Sequence, residues 1–166
     1  MTSKILPTAE RLRELFHFDP ETGIFTRRVS VSNVKAGDVA GFLRVDGYWY
    51  IRVDGTQYLA HRLAWLYVSG SWPVEHIDHI NGDEADNRLV NLREVTHAQN
   101  MQNRNRASVI SASGVLGVNW YPKYRKWVAR IVTNGKRRHL GYFSDIGLAR
   151  DAYIAAKREL HSTCTI

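Results

Sequence analysis

Hydrophobic and polar positions along this chain change their spacing from segment to segment, and each change marks an element. Residues 8–16 space their apolar side chains as a short helix does, with Thr8 placed to cap it behind Pro7. Asp19-Pro20-Glu21-Thr22-Gly23 is a turn cluster leading into a strand over 24–28, and residues 29–38 read as a loop. Two Asp-Gly pairs, Asp46-Gly47 and Asp54-Gly55, punctuate three aromatic and β-branched runs between 41 and 59, which predicts a small antiparallel meander. Helical spacing returns over 60–68, with Leu59, Leu63 and Leu66 on one side and Gly70 as the stop. Residues 74–100 are polar and turn-rich until a second helical pattern begins near 93–96.

Residues 101–113 have no usable periodicity, and after them the pattern turns to β. Strands are expected over 115–121, 126–133 and 136–143, the last two joined at Asn134-Gly135, a strong hairpin signal. An amphipathic helix follows over 145–160, with Ala149, Ala152, Tyr153, Ala156 and Leu160 on one face. The expected fold class is α+β. Residues 1–72 form a helix, a meander and a supporting helix, 73–106 a polar motif, 107–113 a linker, and 114–166 a three-stranded antiparallel sheet packed on one helix.

Composition narrows the function. A chain of 166 residues that is 44% hydrophobic can build a core. The single cysteine, Cys164, leaves no disulfide framework and no structural zinc site built on thiolates. No apolar run approaches the roughly 20 residues of a membrane helix, and the opening residues lack a signal-peptide pattern, so a soluble protein without a membrane partner is expected. The net charge of +7 is uneven: residues 1–72 carry +2, residues 73–112 carry −2, and residues 113–166 carry +7. The basic end calls for an anionic partner, nucleic acid first, while the acidic middle suits chemistry that needs carboxylates.

The chemistry sits in that middle, in His76-Ile-Asp78-His79-Ile-Asn81-Gly82, then Asp86-Asn87-Arg88, Asn91-Leu92-Arg93 and Asn100. Asp78 offers a hard oxygen ligand and His79 a group that titrates near neutrality. Neighbours in a strand point to opposite faces, so the two can share a site only near a strand end or bulge. Asn100, on a helical stretch after the loop, could return to the same place. Carboxylate, imidazole and amide without thiols suit a Mg2+-like ion that keeps several waters. Asn81, Asp83, Asp86 and Asn87 are ordinary turn residues and need no further role. His61-Arg62 opens the apolar helix before the site, with Arg62 a candidate for phosphate and His61 for fixing the loop.

The pattern Asp78-His79-x-x-Gly82, with Asn87-Arg88 ahead of Asn91-Leu92 and Asn100 nine residues on, resembles the HNH nucleases. Its spacing is similar to the His-Asn-Asn variant of phage homing endonucleases. The resemblance implies a ββα-metal core over 73–106, forming one nuclease domain with 1–72. It also implies His79 as general base, Asn91 as the residue that braces the loop and orients His79, and Asp78 with Asn100 as ligands of one divalent cation, Mg2+ before Mn2+. His76 is then a rim residue, and His97 shares a helix with Asn100. A neutral His79 implies activity that rises through roughly pH 6–7.

The second module carries Gly117-Val118, Trp127-x-Ala129-x-Ile131, Asn134-Gly135 and Leu140-Gly141-x-Phe143, followed by Ala149 through Tyr153 and Ala155-Ala156. It resembles the plant ethylene-response-factor (APETALA-two) type of DNA-binding domain. Strand alternation puts Trp127, Ala129 and Ile131 toward the helix and Lys126, Arg130, Arg137 and His139 on the other face with Asn119 and Tyr121. The resemblance implies that this outer face contacts double-stranded DNA. Leu116 and Val132 replace arginines that the family uses, so the plant target sequence is not inherited. Together the two resemblances imply an intracellular endonuclease of a bacterium or phage-infected host. It would nick as a monomer and need dimerisation or a second encounter to cut both strands. The rival readings are a non-catalytic DNA-binding regulator and a nuclease for structured RNA or branched DNA.

Overall fold

In a computed structural model of the chain, which describes residues 6–103 and 113–161, the first helix starts where its cap was expected. The Thr8 hydroxyl accepts the Arg11 backbone N–H at 3.1 Å and opens α1 (Ala9–Leu15). The helix stops at Phe16 because Phe16-His17-Phe18 alternates with period two and buries both phenylalanines on one side. The result is a strand the helical spacing hides, β1 (Phe16–Asp19), paired antiparallel with β2 (Ile24–Arg27) from Phe16↔Arg27 to Asp19↔Ile24. The predicted meander is present as β3 (Phe42–Leu43), β4 (Trp49–Val53) and β5 (Thr56–Leu59), in the order β3-β4-β5. It runs straight into α2 (Ala60–Ser69), which ends at Gly70 with a left-handed φ of 78°.

A single core joins these elements. Leu12 of α1, Phe16, Phe18 and Phe25 of the first hairpin, Ile51 and Val53 of the meander, and Leu63 and Leu66 of α2 are all buried together. Ile77 and Leu92 extend the same core into β6 (His76–His79) and β7 (Leu92–Val95), which pair antiparallel from His76↔Val95 to His79↔Leu92. The helical pattern expected near 93–96 is therefore a strand. Leu92 and Val95 are both buried, and their spacing of three reads as helical, but β6 takes up the backbone hydrogen bonds and tertiary pairing overrides the local pattern.

The described residues fall into two compact units that divide between Val95 and Thr96. The second unit opens with α3 (His97–Asn103), started by a reciprocal cap in which the Thr96 N–H donates to Gln99 Oε1 at 2.9 Å and the Gln99 N–H to Thr96 Oγ1 at 3.3 Å. The linker expected at 107–113 lies outside the described residues except for Ser113. Beyond it, β8 (Val118–Tyr121), β9 (Lys126–Thr133) and β10 (Lys136–Phe143) form a sheet in the order β10-β9-β8. The first of these is shorter than expected because residues 113–117 turn, with Gly117 at a φ of 71°. The helix α4 (Ile146–Leu160) is capped by Asp145, whose carboxylate accepts the N–H groups of Gly147 and Leu148. Val118, Ala129, Ile131, Ala149 and Tyr153 make its core, with Trp127, Leu140 and Leu160 against it.

The first hairpin braces the polar segment that precedes β7. The turn after β1 carries Gly23 at a φ of 73°, backed directly onto the main chain of Asn87 and Arg88, and the Leu89 N–H donates to Pro20 O at 3.0 Å. A Cβ at Gly23 would land on the Asn87 carbonyl carbon and the Arg88 nitrogen, atoms that cannot swing aside. The left-handed φ alone penalises a non-glycine residue by about 1–3 kcal/mol. Gly23→Ala is expected to destabilise the protein by at least that much, read as a lowered midpoint in chemical denaturation. Gly55→Ala, also at positive φ but with open space around it, should show the smaller loss.

Candidate functional site

The polar segment between β6 and β7 is built as a chain of side-chain caps. The Asp83 N–H donates to Asn81 Oδ1 at 2.9 Å, the Ala85 N–H to Asp83 Oδ1 at 3.0 Å, and the Arg88 N–H to Asp86 Oδ1 at 3.3 Å. Each is a short acidic or amide side chain reaching the amide two residues on, the local bond these residue types favour. Asn91 then ties the loop's two ends together. Its Oδ1 accepts the Asn81 N–H at 3.0 Å, and its Nδ2 donates to Asn81 Oδ1 at 3.0 Å and to Asp86 O at 2.8 Å.

His79 is the last residue of β6, so the strand end needed for Asp78 and His79 to serve one site is present. Both are buried, at 8% and 4% exposure. Asp78 lies opposite Arg93 in the register, and Oδ2 of its carboxylate accepts both Arg93 Nε at 3.0 Å and Nη2 at 2.8 Å. The His79 ring meets Asn87, itself 4% exposed, through Nε2 and Oδ1 at 3.3 Å. Asn87 Nδ2 donates to Ala85 O at 3.1 Å, which turns the amide oxygen toward His79. The neutral His79 ring therefore carries its proton on Nε2 and its basic lone pair on Nδ1. Burial pushes His79 below the ordinary 6.5. The bond to Asn87 and the nearby carboxylates of Glu84, Asp78 and Asp86 oppose that shift in part.

Behind His79 stand two more rings. His61, the second residue of α2, packs at right angles to it with ring centroids 4.9 Å apart, and Tyr48 lies 5.6 Å from His61 and 6.1 Å from His79. Burial, with the charges of His79 and Arg62 adding to it, pushes His61 down to about 3, so it is neutral at physiological pH. Arg62 donates to the carbonyls of Pro73 and Glu75 at 3.4 and 3.5 Å, which ties α2 to the approach to β6.

The first unit thus brings together Asp78, His79 and Asn91, while Asn100 stands half-buried on α3 in the second. His76 and His97 are exposed. Asn87 reads in the sequence as a turn residue, yet its side chain is bonded to His79. Its place in the Asn87-Arg88-x-x-Asn91-Leu92 pattern was the available signal. Among the described residues no group of three or more His, Cys, Asp or Glu converges as a metal cage. A hydrated, hard cation needs none: one carboxylate with an amide oxygen, the rest of its shell being water and phosphate, is a donor set that fits it.

In the second unit the register places all six expected contact residues on one face. Tyr121 pairs with Lys126, Asn119 with Val128, Arg130 with His139, and Val132 with Arg137, while Trp127, Ala129 and Ile131 face α4. A bulge at Leu140 shifts the register between His139 and Gly141. Tyr121, Tyr124 and Tyr142 cluster on this unit at centroid distances of 5.1–5.8 Å, with His139 4.6 Å from Tyr142. Val128 shares the outer face and is nevertheless 1% exposed. Among the described residues no helix is long and apolar enough to cross a membrane.

Three comparisons bear on this geometry. No curated protein matches the chain. A solved structure, of DNA binding and cleavage by the HNH homing endonuclease I-HmuI, is 24% identical with a TM-score of 0.41, covering 54% of this chain and 51% of that one. The chain therefore spans about half the length of that protein. Residues 58–102 match the family model described as HNH endonuclease, and that stretch contains His61, Asp78, His79, Asn87, Asn91 and Asn100. That stretch of the chain is similar to the HNH endonuclease family.

Proposed function

We propose that the chain is a metal-dependent DNA endonuclease that hydrolyses one phosphodiester bond per visit and is held to preferred sites by its second unit. The observation that carries this reading is the setting of His79. It is a buried, neutral imidazole at a strand end, bonded through Nε2 to an amide that is itself fixed, beside the carboxylate of Asp78. Nδ1 is then the atom that takes a proton from the attacking water. Asn91 keeps the loop closed so that Asn87 stays on Nε2. Asp78, oriented by Arg93, and Asn100 would hold the divalent cation, Mg2+ before Mn2+, which when bound offsets phosphate charge and stabilises the leaving oxygen.

The second unit's role rests on the charge of +7 carried by residues 113–166 and on a sheet face that gathers Asn119, Tyr121, Lys126, Arg130, Arg137 and His139, in keeping with the ethylene-response-factor resemblance. Such a face suits a groove of duplex DNA, with phosphates neutralised by the cations. We assign α3 to the nuclease domain over 73–106 and the sheet domain to 114–166. A monomer with one such site nicks; a homing function would add site preference to the same chemistry.

Supercoiled plasmid with Mg2+ should be nicked by the wild type, and EDTA should stop it. His79→Ala should lose activity by roughly 10²–10⁴-fold while gel-shift affinity for DNA persists; equal cutting by the variant would sink the mechanism. RNA and branched DNA offered in the same assay should be poorer substrates. The pH profile is set by burial. His79 works only when neutral and its pKa lies below 6.5, so the acid limb of kcat/KM should fall below pH 6.5. That is earlier on the pH scale than the rise through 6–7 of an ordinary imidazole. Replacing Lys126, Arg130 and Arg137 together by Ala should weaken binding across sequences and flatten the slope of log K against log salt by about one for each phosphate that is no longer neutralised.

A further inference from the structure

Of the three packed rings at the site, Tyr48 is the most exposed. His79 and His61 are 4% and 5% exposed, whereas Tyr48, whose ring lies 6.1 Å from the first and 5.6 Å from the second, is half-buried. Its main chain is held at the turn between β3 and β4. The Tyr48 N–H donates to Asp46 Oδ1 at 3.2 Å, and its carbonyl accepts the Arg44 N–H at 3.0 Å. The hydroxyl, by contrast, has no hydrogen-bond partner among the described residues. Tyr50, two residues on in β4, does find one, and its hydroxyl donates to Asp46 Oδ2 at 3.3 Å. Acceptors stand near Tyr48 as well, since a Cβ built at Gly47 would lie 3.7 Å from a carboxylate oxygen of Glu84. The donor nearest the two imidazoles is thus left unspent.

That position suits a substrate. A water within hydrogen-bond reach of His79 lies about 3 Å from the ring, and the phosphorus it attacks about 3–3.5 Å further on. The phosphate therefore falls in the same shell around His79 as the Tyr48 ring, at 6.1 Å. With His79 almost fully covered, a phosphate can approach only along the exposed rim of the cluster, and Tyr48 is on that rim. Attack on phosphorus concentrates charge on the phosphoryl oxygens, and a fixed donor aimed at them stabilises the transition state more than the ground state. We propose that Tyr48 is a further catalytic residue, whose hydroxyl donates a hydrogen bond to a non-bridging oxygen of the scissile phosphate. No proton is transferred in this contact, and Tyr48 remains a neutral phenol throughout. Its surroundings favour that state: burial first, and then the carboxylates of Glu84, Asp46 and Asp78, push the phenol pKa above its ordinary value.

This inference rests on the nuclease reading, and the experiment separates the two. The full chain is compared with Tyr48→Phe and Tyr50→Phe on a duplex carrying a mapped nick site and Mg2+. The scissile phosphate is either normal or replaced by one or the other phosphorothioate diastereomer. Tyr48→Phe keeps the ring against both imidazoles and removes only a hydroxyl without a protein partner, so its thermal midpoint should match wild type. Its kcat should fall by roughly 10- to 100-fold with KM within about twofold, at or below the loss seen for an enclosed oxyanion donor. Sulfur is a weak acceptor, so the wild type should be slowed by the diastereomer that places sulfur at the Tyr48 position, and Tyr48→Phe should lose most of that slowing. Tyr50→Phe gives up a hydroxyl that does have a partner and should cut as the wild type does on every substrate. The inference is overturned if Tyr48→Phe keeps wild-type kcat, or if Tyr50→Phe falls as far. It is equally overturned if the loss in Tyr48→Phe comes with a lowered thermal midpoint, or if the slowing by sulfur survives unchanged in that variant. A wild type that cuts no nucleic acid with Mg2+ would instead overturn the nuclease reading, and this inference with it.

Discussion

The carboxamide of Asn91 uses both its donor hydrogens and its oxygen to close the loop between β6 and β7, and the site's geometry depends on that closure. With Asn81 and Asp86 tied to one side chain, the intervening residues can cap one another in sequence. Asn87 is then the residue delivered to His79. Each bond in this chain is worth only about 0.5–1.5 kcal/mol, but a loop of polar groups that satisfies itself has one arrangement rather than many. A loop without such closure would sample orientations in which the ring nitrogen of His79 had no partner, and its basic nitrogen no fixed direction.

Burial sets the electrostatics here. An imidazole at the protein surface would divide its time between charged and neutral forms near pH 6.5, whereas His79 and His61 are held neutral by removal from water. The carboxylate beside them tolerates burial because Arg93 answers it with two donors on one oxygen. The site therefore holds an imidazole that is uncharged at neutral pH next to a carboxylate with its own cationic partner. The division of roles comes from partners and solvent exposure, since Asp78 and His79 are sequence neighbours.

Much of this was legible in the sequence where the signal is local. Thr8 caps α1, Gly70 ends α2, Asp145 caps α4, and Asn134-Gly135 joins β9 to β10, because each acts on residues within a turn of itself. Asp78 and His79 stood out through their spacing to Gly82 and Asn91. Reading failed where distant pairing decides. Phe16-His17-Phe18 is too short an alternation to outweigh the helix before it, and Leu92 with Val95 mimics a helical face until β6 supplies the partner strand. The bond from Asn87 to His79 and the ring contact from His61 were illegible for the same reason. Nothing in a turn asparagine or a helical histidine announces which ring it will meet.

The contact between Gly23 and the main chain of Asn87 has a bearing on how such a unit can be moved between proteins. The segment that matches the family model starts at residue 58, yet the wall supporting its loop is the first hairpin, more than thirty residues upstream. The piece with the recognisable motif is smaller than the piece with the geometry. A transplant confined to the motif would carry the right side chains on an unsupported loop, so the portable unit begins with α1.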